Sequence, residues 1–347
     1  MVQLNSPMGS AGRTTIQYLK NLAVKQEKAF IDRLLASCVS GYRKQRSLLA
    51  QIKSPWVSKL YLNYRGAERA ISGKKICFVT LNELTQWTSQ WVRNFPVSFD
   101  LIVGVPRSGL LVGSIIAAKL GKPLTTPEGF ARNEIWMSER SANKNLRYDK
   151  ILLVDDTVGR GRQLAKALAQ FQPGDFQVTT AAVIATEEGT THVDLYYRRI
   201  SDPILCEWNM LHAKKGNLAV ALEGVLCHDL PRGMRADEKA YLTWVRSARA
   251  YLVPTFEIDA IVAVRDPKYR ADTEEWLAEH RIAYKNLILW DAVGPVADEA
   301  RQIRYKIDSL FKLKPDLYWE AGYGAAAEIC RRTKIPTLCI DRMALIS

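Results

Sequence analysis

Two neighbouring carboxylates and a glycine-bearing loop lie in the stretch ILLVDDTVGRGRQL, residues 151–164. Asp155 and Asp156 follow four apolar residues typical of a buried strand, and Gly159 and Gly161 come next in the loop. Carboxylates at the end of a strand can accept hydrogen bonds from sugar hydroxyls or hold water around Mg²⁺. Loop amides and a helix N-terminus can bind phosphate. The pattern predicts a sugar-phosphate site, and the alternative is two acids that only cap a strand end.

A second strand–turn–helix pattern precedes it in FDLIVGVPRSGLLVGSIIAAKLGKPL, residues 99–124. The residues 101–103 indicate a buried strand, 104–109 a tight turn, and 110–120 a helix with small residues for close packing. Alone, this segment is typical of any α/β protein. It becomes specific because the paired acids follow it along the chain.

Together the two motifs resemble the phosphoribosyl-diphosphate (PRPP) signature of type I phosphoribosyltransferases. The resemblance implies that Asp155 and Asp156 are the catalytic acids, which hold ribose and, through water, Mg²⁺. It implies PRPP or phosphate binding by Arg107, Ser108, Gly109, Thr157, Gly159, Arg160, Gly161, Arg162 and Gln163.

The chain departs from that family in the phosphate loop. The family usually has threonines where this chain has Arg160 and Gln163. Most of the grip on phosphate in such loops comes from backbone N–H groups, which survive a change of side chain. Arg160 and Arg162 can add charge-assisted hydrogen bonds, block the pocket, or form a solvated basic rim.

The stretch 125–150 lacks a continuous apolar pattern. Long loops inside compact domains are usually functional or disordered. The family has a mobile loop here that closes over PRPP and keeps water from an oxocarbenium-like transition state. The resemblance makes Arg140 and Lys144 candidates for neutralising the diphosphate leaving group, and the alternative is a solvent-exposed hairpin with ordinary charges.

Strand and helix patterns alternate over residues 76–200 and again from Gly216. The second series has expected strands at 218–226, 260–264, 286–290, 316–319 and 337–340, and expected helices near 236–250, 272–280, 297–312 and 323–332. The predicted fold class is therefore α/β, with two doubly wound, largely parallel sheets behind a basic helical segment. The expected domains are 1–75, 76–212 and 213–347.

The second half, through landmarks such as AVALEGVLCHD and DLYWEAGYGAAAEIC, resembles the haloacid dehalogenase (HAD) superfamily, in a subgroup fused behind phosphoribosyltransferase domains. The family's two aspartates are replaced by Ala221 and Glu223, and its threonine by Ala263. Lys306 and Glu320 match later motif positions. Without the first carboxylate no aspartyl-phosphate can form, so phosphatase activity is not expected. The resemblance leaves scaffolding, small-molecule sensing or partner contact.

Positive charge is concentrated in residues 1–75, which contain 14 Lys and Arg against three acids, a net +11 of the chain's +13. Such a field favours DNA, RNA, a nucleoprotein complex or an acidic protein surface. The candidate contacts are Arg43, Lys44, Arg46, Lys53, Lys59 and Arg65. The alternative is an amphipathic helical lid with a solvated basic face.

The composition limits the other classes. The six cysteines include no CxxC pair and the four histidines show no ligand spacing, so we expect a reduced protein without structural zinc. No apolar run reaches about 18 residues, and the N-terminus lacks a signal-type core, so we expect a cytoplasmic protein without a membrane partner.

Three functions stay open from the sequence. The first is a Mg²⁺-dependent transferase that acts on PRPP or a nucleotide at ribose C1. The second is a weak or inactive transferase-fold effector that binds nucleic acid, since the chain resembles accessory proteins of bacterial retrons, an antiviral defence system. The third is a purely structural partner. The acceptor and the oligomeric state are not encoded in any recognisable pattern.

Overall fold

The computed structural model describes residues 76–137, 147–172, 174–201, 203–231, 234, 237–290 and 298–347. Within these ranges no helix is both long enough and apolar enough to cross a membrane. Several predicted features lie outside the described residues: the basic helical segment, with Arg43, Lys44, Arg46, Lys53, Lys59 and Arg65, and the lid candidates Arg140 and Lys144.

The first half contains a five-stranded parallel sheet with the order β3-β2-β4-β5-β6. Its elements, with two flanking strands, are β1 (Cys77–Val79), α1 (Leu81–Trp91), β2 (Leu101–Gly104), α2 (Ser108–Leu120), β3 (Leu124–Thr125), α3 (Pro127–Ala131), β4 (Lys150–Val158), α4 (Arg162–Leu168), β5 (Gln177–Ala185), β6 (Leu195–Arg199) and β7 (Ile204–Cys206). The parallel sheet that the alternating pattern predicted is confirmed.

The apolar run of β4 is buried on both faces of this sheet. Leu152 and Val154 belong to one core with residues of α1 and α2, whereas Ile151 and Leu153 belong to a second core with residues of α4. Successive side chains on a strand point to opposite faces, so a continuous apolar run requires cover on both sides. The predicted doubly wound architecture of this half therefore follows from the run itself.

The stretch 125–150 is not a loop throughout, so that prediction is wrong for its first residues. Thr125 ends β3, and α3 follows with Pro127 in its first turn and the Thr126 hydroxyl accepting a hydrogen bond from the Gly129 amide at 2.9 Å. The ring of Phe130 stacks on Phe171 with centroids 5.0 Å apart. The short helix is stabilised by its N-terminal cap, by the proline in its first turn and by the packing of one aromatic ring, so it needs no long apolar pattern.

The second half contains a six-stranded sheet with the order β10-β9-β8-β11-β12-β13. Its strands are parallel except β13, which pairs antiparallel with β12. The elements are β8 (Leu218–Ala221), α5 (Glu238–Ser247), β9 (Ile258–Val262), α6 (Arg270–Glu279), β10 (Tyr284–Ile288), α7 (Glu299–Leu313), β11 (Leu317–Glu320), α8 (Tyr323–Thr333), β12 (Thr337–Cys339) and β13 (Ala344–Ile346).

Two details of the second half differ from the prediction. The expected strand 218–226 ends at Ala221, because the amides of Leu226 and Cys227 turn back to the Leu222 carbonyl at 3.0 Å each. Strand β13 was not predicted, since three residues behind a turn give too little periodicity. The remaining four strands and four helices lie within two residues of their expected positions at most ends.

A small parallel sheet of β1 and β7 separates the two halves and belongs to both cores. Val79, Ile204 and Cys206 face the core of the first half, whereas Phe78 and Leu205 pack in the core of the second. This alternation is the period of a strand buried on both faces. Lys74–Ser347 forms one compact unit, and the expected domain boundary near residue 213 stays a prediction.

Candidate active site

The paired acids lie inside β4, two strand positions before its end at Val158. Asp155 and Asp156 have only 8% and 4% of their surface exposed. Strand β4 is the central strand of the sheet, and parallel strands open their carboxyl ends on a common edge. The two carboxylates therefore lie at the edge where α/β sheets usually bind ligands.

Asp156 accepts hydrogen bonds from two distant parts of the chain. The Ser108 hydroxyl, at the start of α2, donates to Oδ1 at 2.6 Å. The indole N–H of Trp208, which follows β7, donates to Oδ2 at 2.6 Å. Both donors are uncharged, so this carboxylate is oriented without being neutralised by a cation among the described residues.

Asp155 has a different environment. Its Oδ1 accepts a hydrogen bond from the Asp156 amide at 2.9 Å. Burial, and next the negative charge of Asp156, raise the pKa of Asp155 well above its ordinary value. A carboxyl group with a raised pKa keeps its proton to higher pH, so the pair carries less negative charge than two free aspartates.

The turn before α2 approaches β4 closely. A Cβ atom added at Gly109 would lie 2.7 Å from the Val154 carbonyl oxygen and 3.0 Å from Oδ1 of Asp155. Only glycine allows this approach, which brings Ser108 within reach of Asp156. Arg107 precedes the helix with its side chain exposed, and the peptide bond between Pro106 and Arg107 is cis.

The loop after β4 also depends on a glycine. Gly161 has φ +65°, and a Cβ atom there would lie 2.7 Å from Cβ of His192. Gly161 precedes α4, whose first backbone N–H groups have no partner within the helix. The Thr186 hydroxyl accepts a hydrogen bond from the Gly189 amide at 3.0 Å and lies 3.5 Å from the Gly159 carbonyl oxygen, which it supports.

A cavity of about 490 Å³ joins these parts. It is lined by Pro106, Arg107, Ser108, Asp155, Asp156, Thr157, Gly159, Gln163, Thr186, Ile204, Cys206, Asn209, Ala213 and Lys215. Seven of these were predicted site residues. Four other predicted residues are not part of this lining: Gly109, Arg160, Gly161 and Arg162. The side chains of both arginines are exposed, which matches the solvated basic rim better than a blocked pocket.

Sequence reasoning missed the wall of the cavity that comes from residues 204–215. Ile204, Cys206, Asn209, Ala213 and Lys215 line the cavity here, and Trp208 contacts Asp156 behind them. No site residue was predicted in the run LCEWNMLH, residues 205–212. Its one usable signal was a tryptophan among polar residues just after an apolar stretch, because buried indoles need an acceptor for their N–H.

Cys206 is not a nucleophile at neutral pH. Burial, and next the charge of Asp156, raise the pKa of its thiol to about 12. Its Sγ lies 3.8 Å from the Thr157 hydroxyl. Cys206 therefore acts as a small apolar wall of the cavity, packed in the core of the first half.

The carboxylate pair offers hard oxygen ligands to a metal ion. Within the described ranges no group of three or more His, Cys, Asp or Glu side chains could hold a metal. Mg²⁺ commonly keeps several waters and binds through one or two carboxylates plus substrate phosphates. Two carboxylates beside an open cavity fit that mode and do not fit an all-protein cage.

Comparison with protein families gives a match for residues 80–214, to the phosphoribosyl transferase domain. An orotate phosphoribosyltransferase of Sulfurisphaera tokodaii is 31% identical over 94 residues, covering 26% of this chain and 46% of that protein. An orotate phosphoribosyltransferase of Sulfolobus acidocaldarius is 32% identical over 94 residues, with the same coverage. The chain thus spans about half the length of these curated relatives.

Solved structures of the same class are also similar. A purine phosphoribosyltransferase of Pyrococcus horikoshii has 18% identity and a TM-score of 0.29, covering 38% of this chain and 92% of that one. An orotate phosphoribosyltransferase of Aeropyrum pernix has 17% identity and a TM-score of 0.24, covering 33% and 71%. The family match over residues 80–214 agrees with the resemblance to phosphoribosyltransferases that the two motifs gave.

Proposed function

We propose that the protein is a Mg²⁺-dependent phosphoribosyltransferase that makes or breaks an N-glycosidic bond at ribose C1, with PRPP or a nucleotide as one substrate. One observation carries the proposal. A single cavity brings together the buried acids of β4, the turn at Arg107 and Ser108, and the loop that reaches Gln163. These parts come from three separate stretches of the chain, and each is suited to one part of a ribose carrying two phosphate groups.

Each part has a separate task in the proposed reaction. Asp156 accepts hydrogen bonds from the ribose hydroxyls, because each of its oxygens has a lone pair left beyond the bonds from Ser108 and Trp208. Asp155 offers a second carboxyl group to the ribose hydroxyls. The loop amides around Gly159 hold the 5′-phosphate, and Arg107 faces the diphosphate that leaves C1.

Bound Mg²⁺ would neutralise charge on the departing diphosphate. Asp155 and Asp156 are the residues that would hold it, through water, since they are the two carboxylates lining the cavity. The neutral donors on Asp156 leave its charge available to a cation.

The acceptor in this proposal is a nucleobase. Lys215 and Asn209 line the end of the cavity formed by the 204–215 segment, where they offer a cation and an amide to an acidic or carbonyl-bearing ring. The matched relatives are named orotate phosphoribosyltransferases, which makes orotate the first acceptor to test.

Calorimetry with PRPP and Mg²⁺ tests the proposal. We expect the wild type to bind, and D156N to bind about tenfold to a hundredfold more weakly, because hydrogen bonds to a charged group contribute about 1.5–3 kcal/mol. D175N, at an exposed aspartate of the same half, is the matched control and should bind as the wild type. Unchanged PRPP binding and turnover in D155N and D156N would overturn the assignment.

For the second half, we propose a HAD-like domain without phosphatase activity. Its support is a parallel sheet in which β8 lies between β9 and β11, with Ala221 and Glu223 where the family has aspartates. Glu223 is ion-paired with Arg265 and Lys306 with Glu320, so none of these four charges is available to a phosphoryl group. Hydrolysis of a generic phosphate monoester that E223Q abolishes would contradict the proposal.

A second candidate function concerns nucleic acid. The net +11 of residues 1–75 supports DNA or RNA binding by this segment, in a nucleoprotein complex of the retron-defence kind. Binding that weakens steeply with salt, and that disappears when residues 1–75 are deleted, is the expected outcome. Binding that is absent or insensitive to salt would reject it.

A further inference from the structure

Asp156 is held from two sides by the protein. Ser108 donates to one carboxylate oxygen and Trp208 to the other, both at 2.6 Å. A carboxylate with one donor on each oxygen cannot rotate about its χ2 bond without breaking both bonds. The orientation of Asp156 toward the cavity is therefore set by a hydroxyl from the turn and by an indole from the opposite wall.

The segment that carries Trp208 is itself anchored to the first half. Trp208 lies in a single 3₁₀ turn, Glu207–Asn209, directly after β7. The Glu207 carboxylate accepts a hydrogen bond from the Leu81 amide at 2.8 Å, at the start of α1. Two contacts thus fix one end of the turn: β7 pairs with β1 just before it, and Glu207 accepts the hydrogen bond from Leu81.

The other end of the segment is anchored to the second half. The Thr255 amide donates to the Leu211 carbonyl at 2.8 Å. Lys214 forms an ion pair with Asp259 at 2.6 Å, and both side chains are largely buried. Leu205 packs in the second core, one residue before the thiol that lines the cavity. Trp208 is therefore placed by contacts with both halves.

We propose that Trp208 is a positioning residue for the carboxylate that holds ribose. Its indole N–H, opposite the Ser108 hydroxyl, keeps Asp156 aimed into the cavity, so PRPP meets an oriented carboxylate. This inference rests on the proposed function, since it assigns the role of a residue at that same site. Trp208 is not on the cavity lining and acts through Asp156.

The test compares two phenylalanine variants in the full chain. W208F keeps an aromatic ring of similar shape and removes the N–H donor. W87F is the matched control, because Trp87 is also a half-buried tryptophan of the first core and has no contact with Asp156. The ligands are PRPP with Mg²⁺, which contains ribose, and inorganic diphosphate without Mg²⁺, which contains neither ribose nor the ion that Asp156 would hold.

We expect W208F to weaken PRPP binding about tenfold, because a hydrogen bond to a charged group is lost from the site's carboxylate. Its affinity for diphosphate should stay close to that of the wild type, and W87F should leave both affinities unchanged. If the role of Trp208 were purely structural, W208F would instead lower the affinity for both ligands. Equal PRPP affinity in W208F and wild type would overturn the positioning role alone. A wild type that binds neither ligand would overturn the proposed function and this role with it.

A spectroscopic measurement covers the case in which W208F folds poorly. The indole ¹⁵N–¹H cross-peak of Trp208, assigned from through-bond correlations in the wild type, should be strongly shifted downfield. It should move in D156N and in S108A, because both changes alter the carboxylate that accepts its hydrogen bond. A cross-peak at the position of a solvent-exposed indole, unmoved in D156N, would overturn the proposal without any ligand.

Discussion

The acidic residues at the carboxyl-terminal edges of the two sheets have opposite environments. In the first half, Asp155 and Asp156 line an open cavity, and the hydrogen-bond donors to them among the described residues are uncharged. In the second half, Glu223 bonds Arg265 at 2.8 Å, and Glu320 bonds Lys306 at 2.8 Å. The guanidinium of Arg265 is completely buried. One edge therefore has carboxylates that face an open cavity, which we call the open edge, and the other has carboxylates in internal ion pairs, which we call the closed edge.

The pKa values report the same contrast. Burial would raise the pKa of Glu223, but the charge of Arg265 and the hydrogen bond from the Val264 amide together hold it below its ordinary value. Within the part of the chain that the structure describes, no such cation offsets the burial of Asp155, and its pKa rises. Similar topology therefore does not decide how a buried carboxylate is stabilised. The cation beside Glu223, and the negative charge of Asp156 beside Asp155, account for the opposite directions of the two pKa shifts.

The largest effect is expected from removing the cation that pairs with Glu223 at the edge of the second sheet. R265M leaves the Glu223 carboxylate buried without its partner, which should cost about 3–5 kcal/mol of unfolding free energy. Urea denaturation measures the loss, and the double variant R265M/E223Q should recover much of it. R331M is the control, because Arg331 forms an exposed pair with Glu328, and it should leave the midpoint unchanged. Full stability in R265M would show that the ion pair does not maintain this edge.

A second prediction concerns the small sheet of β1 and β7, which packs in the cores of both halves. L205A should lower stability by about 2–5 kcal/mol, as expected for a cavity in a core. It should also weaken PRPP binding, although Leu205 does not line the cavity, because it supports the segment carrying Trp208. L338A removes the same side chain from β12 in the same core and should lower stability without changing affinity. Equal affinity in both variants would mean that the second half does not support the site.

A smaller effect should appear in the pH dependence of the open edge. A carboxyl group with a raised folded-state pKa binds its proton more tightly when folded, so stability falls as pH rises from 3.8 through the higher folded-state pKa. D155N cannot ionise and avoids this loss. Without ligand, its melting temperature should match the wild type near pH 4 and exceed it at pH 8. A constant difference across that range would contradict the raised pKa.

The smallest effect is expected at the rim of the open edge. Arg160 and Arg162 are exposed and lie outside the cavity lining, so R160A and R162A should each weaken PRPP binding by only about twofold to fivefold. The loss should shrink further at high salt, because exposed charges are screened. Q163A, which changes a lining residue, is the comparison. A loss in R160A as large as in D156N would place that arginine in the phosphate site.

Most of the fold was predictable because its signals are local. The apolar run before Asp155 predicted a central strand, and strand–helix alternation predicted parallel sheets in both halves. Strand β13 and helix α3 were not predicted. Elements of three and five residues are stabilised by a neighbouring strand or a cap, and they are too short to show a hydrophobic periodicity. The paired acids, the turn at Arg107 and Ser108, and the glycine loop were recognisable because each is a short contiguous motif.

The sequence by itself determined which groups are available: two carboxylates, a turn with Arg107 and Ser108, and a glycine loop behind a buried strand. The tertiary structure decided how they are used. Trp208, which donates to Asp156, lies 52 positions after it in the sequence, and Arg265 lies 42 positions after Glu223. Both pairings depend on the packing of distant strands, and no local periodicity encodes them. Because the energy of a buried carboxylate depends on its partner, the carboxylates line an open cavity in one half and form buried ion pairs in the other.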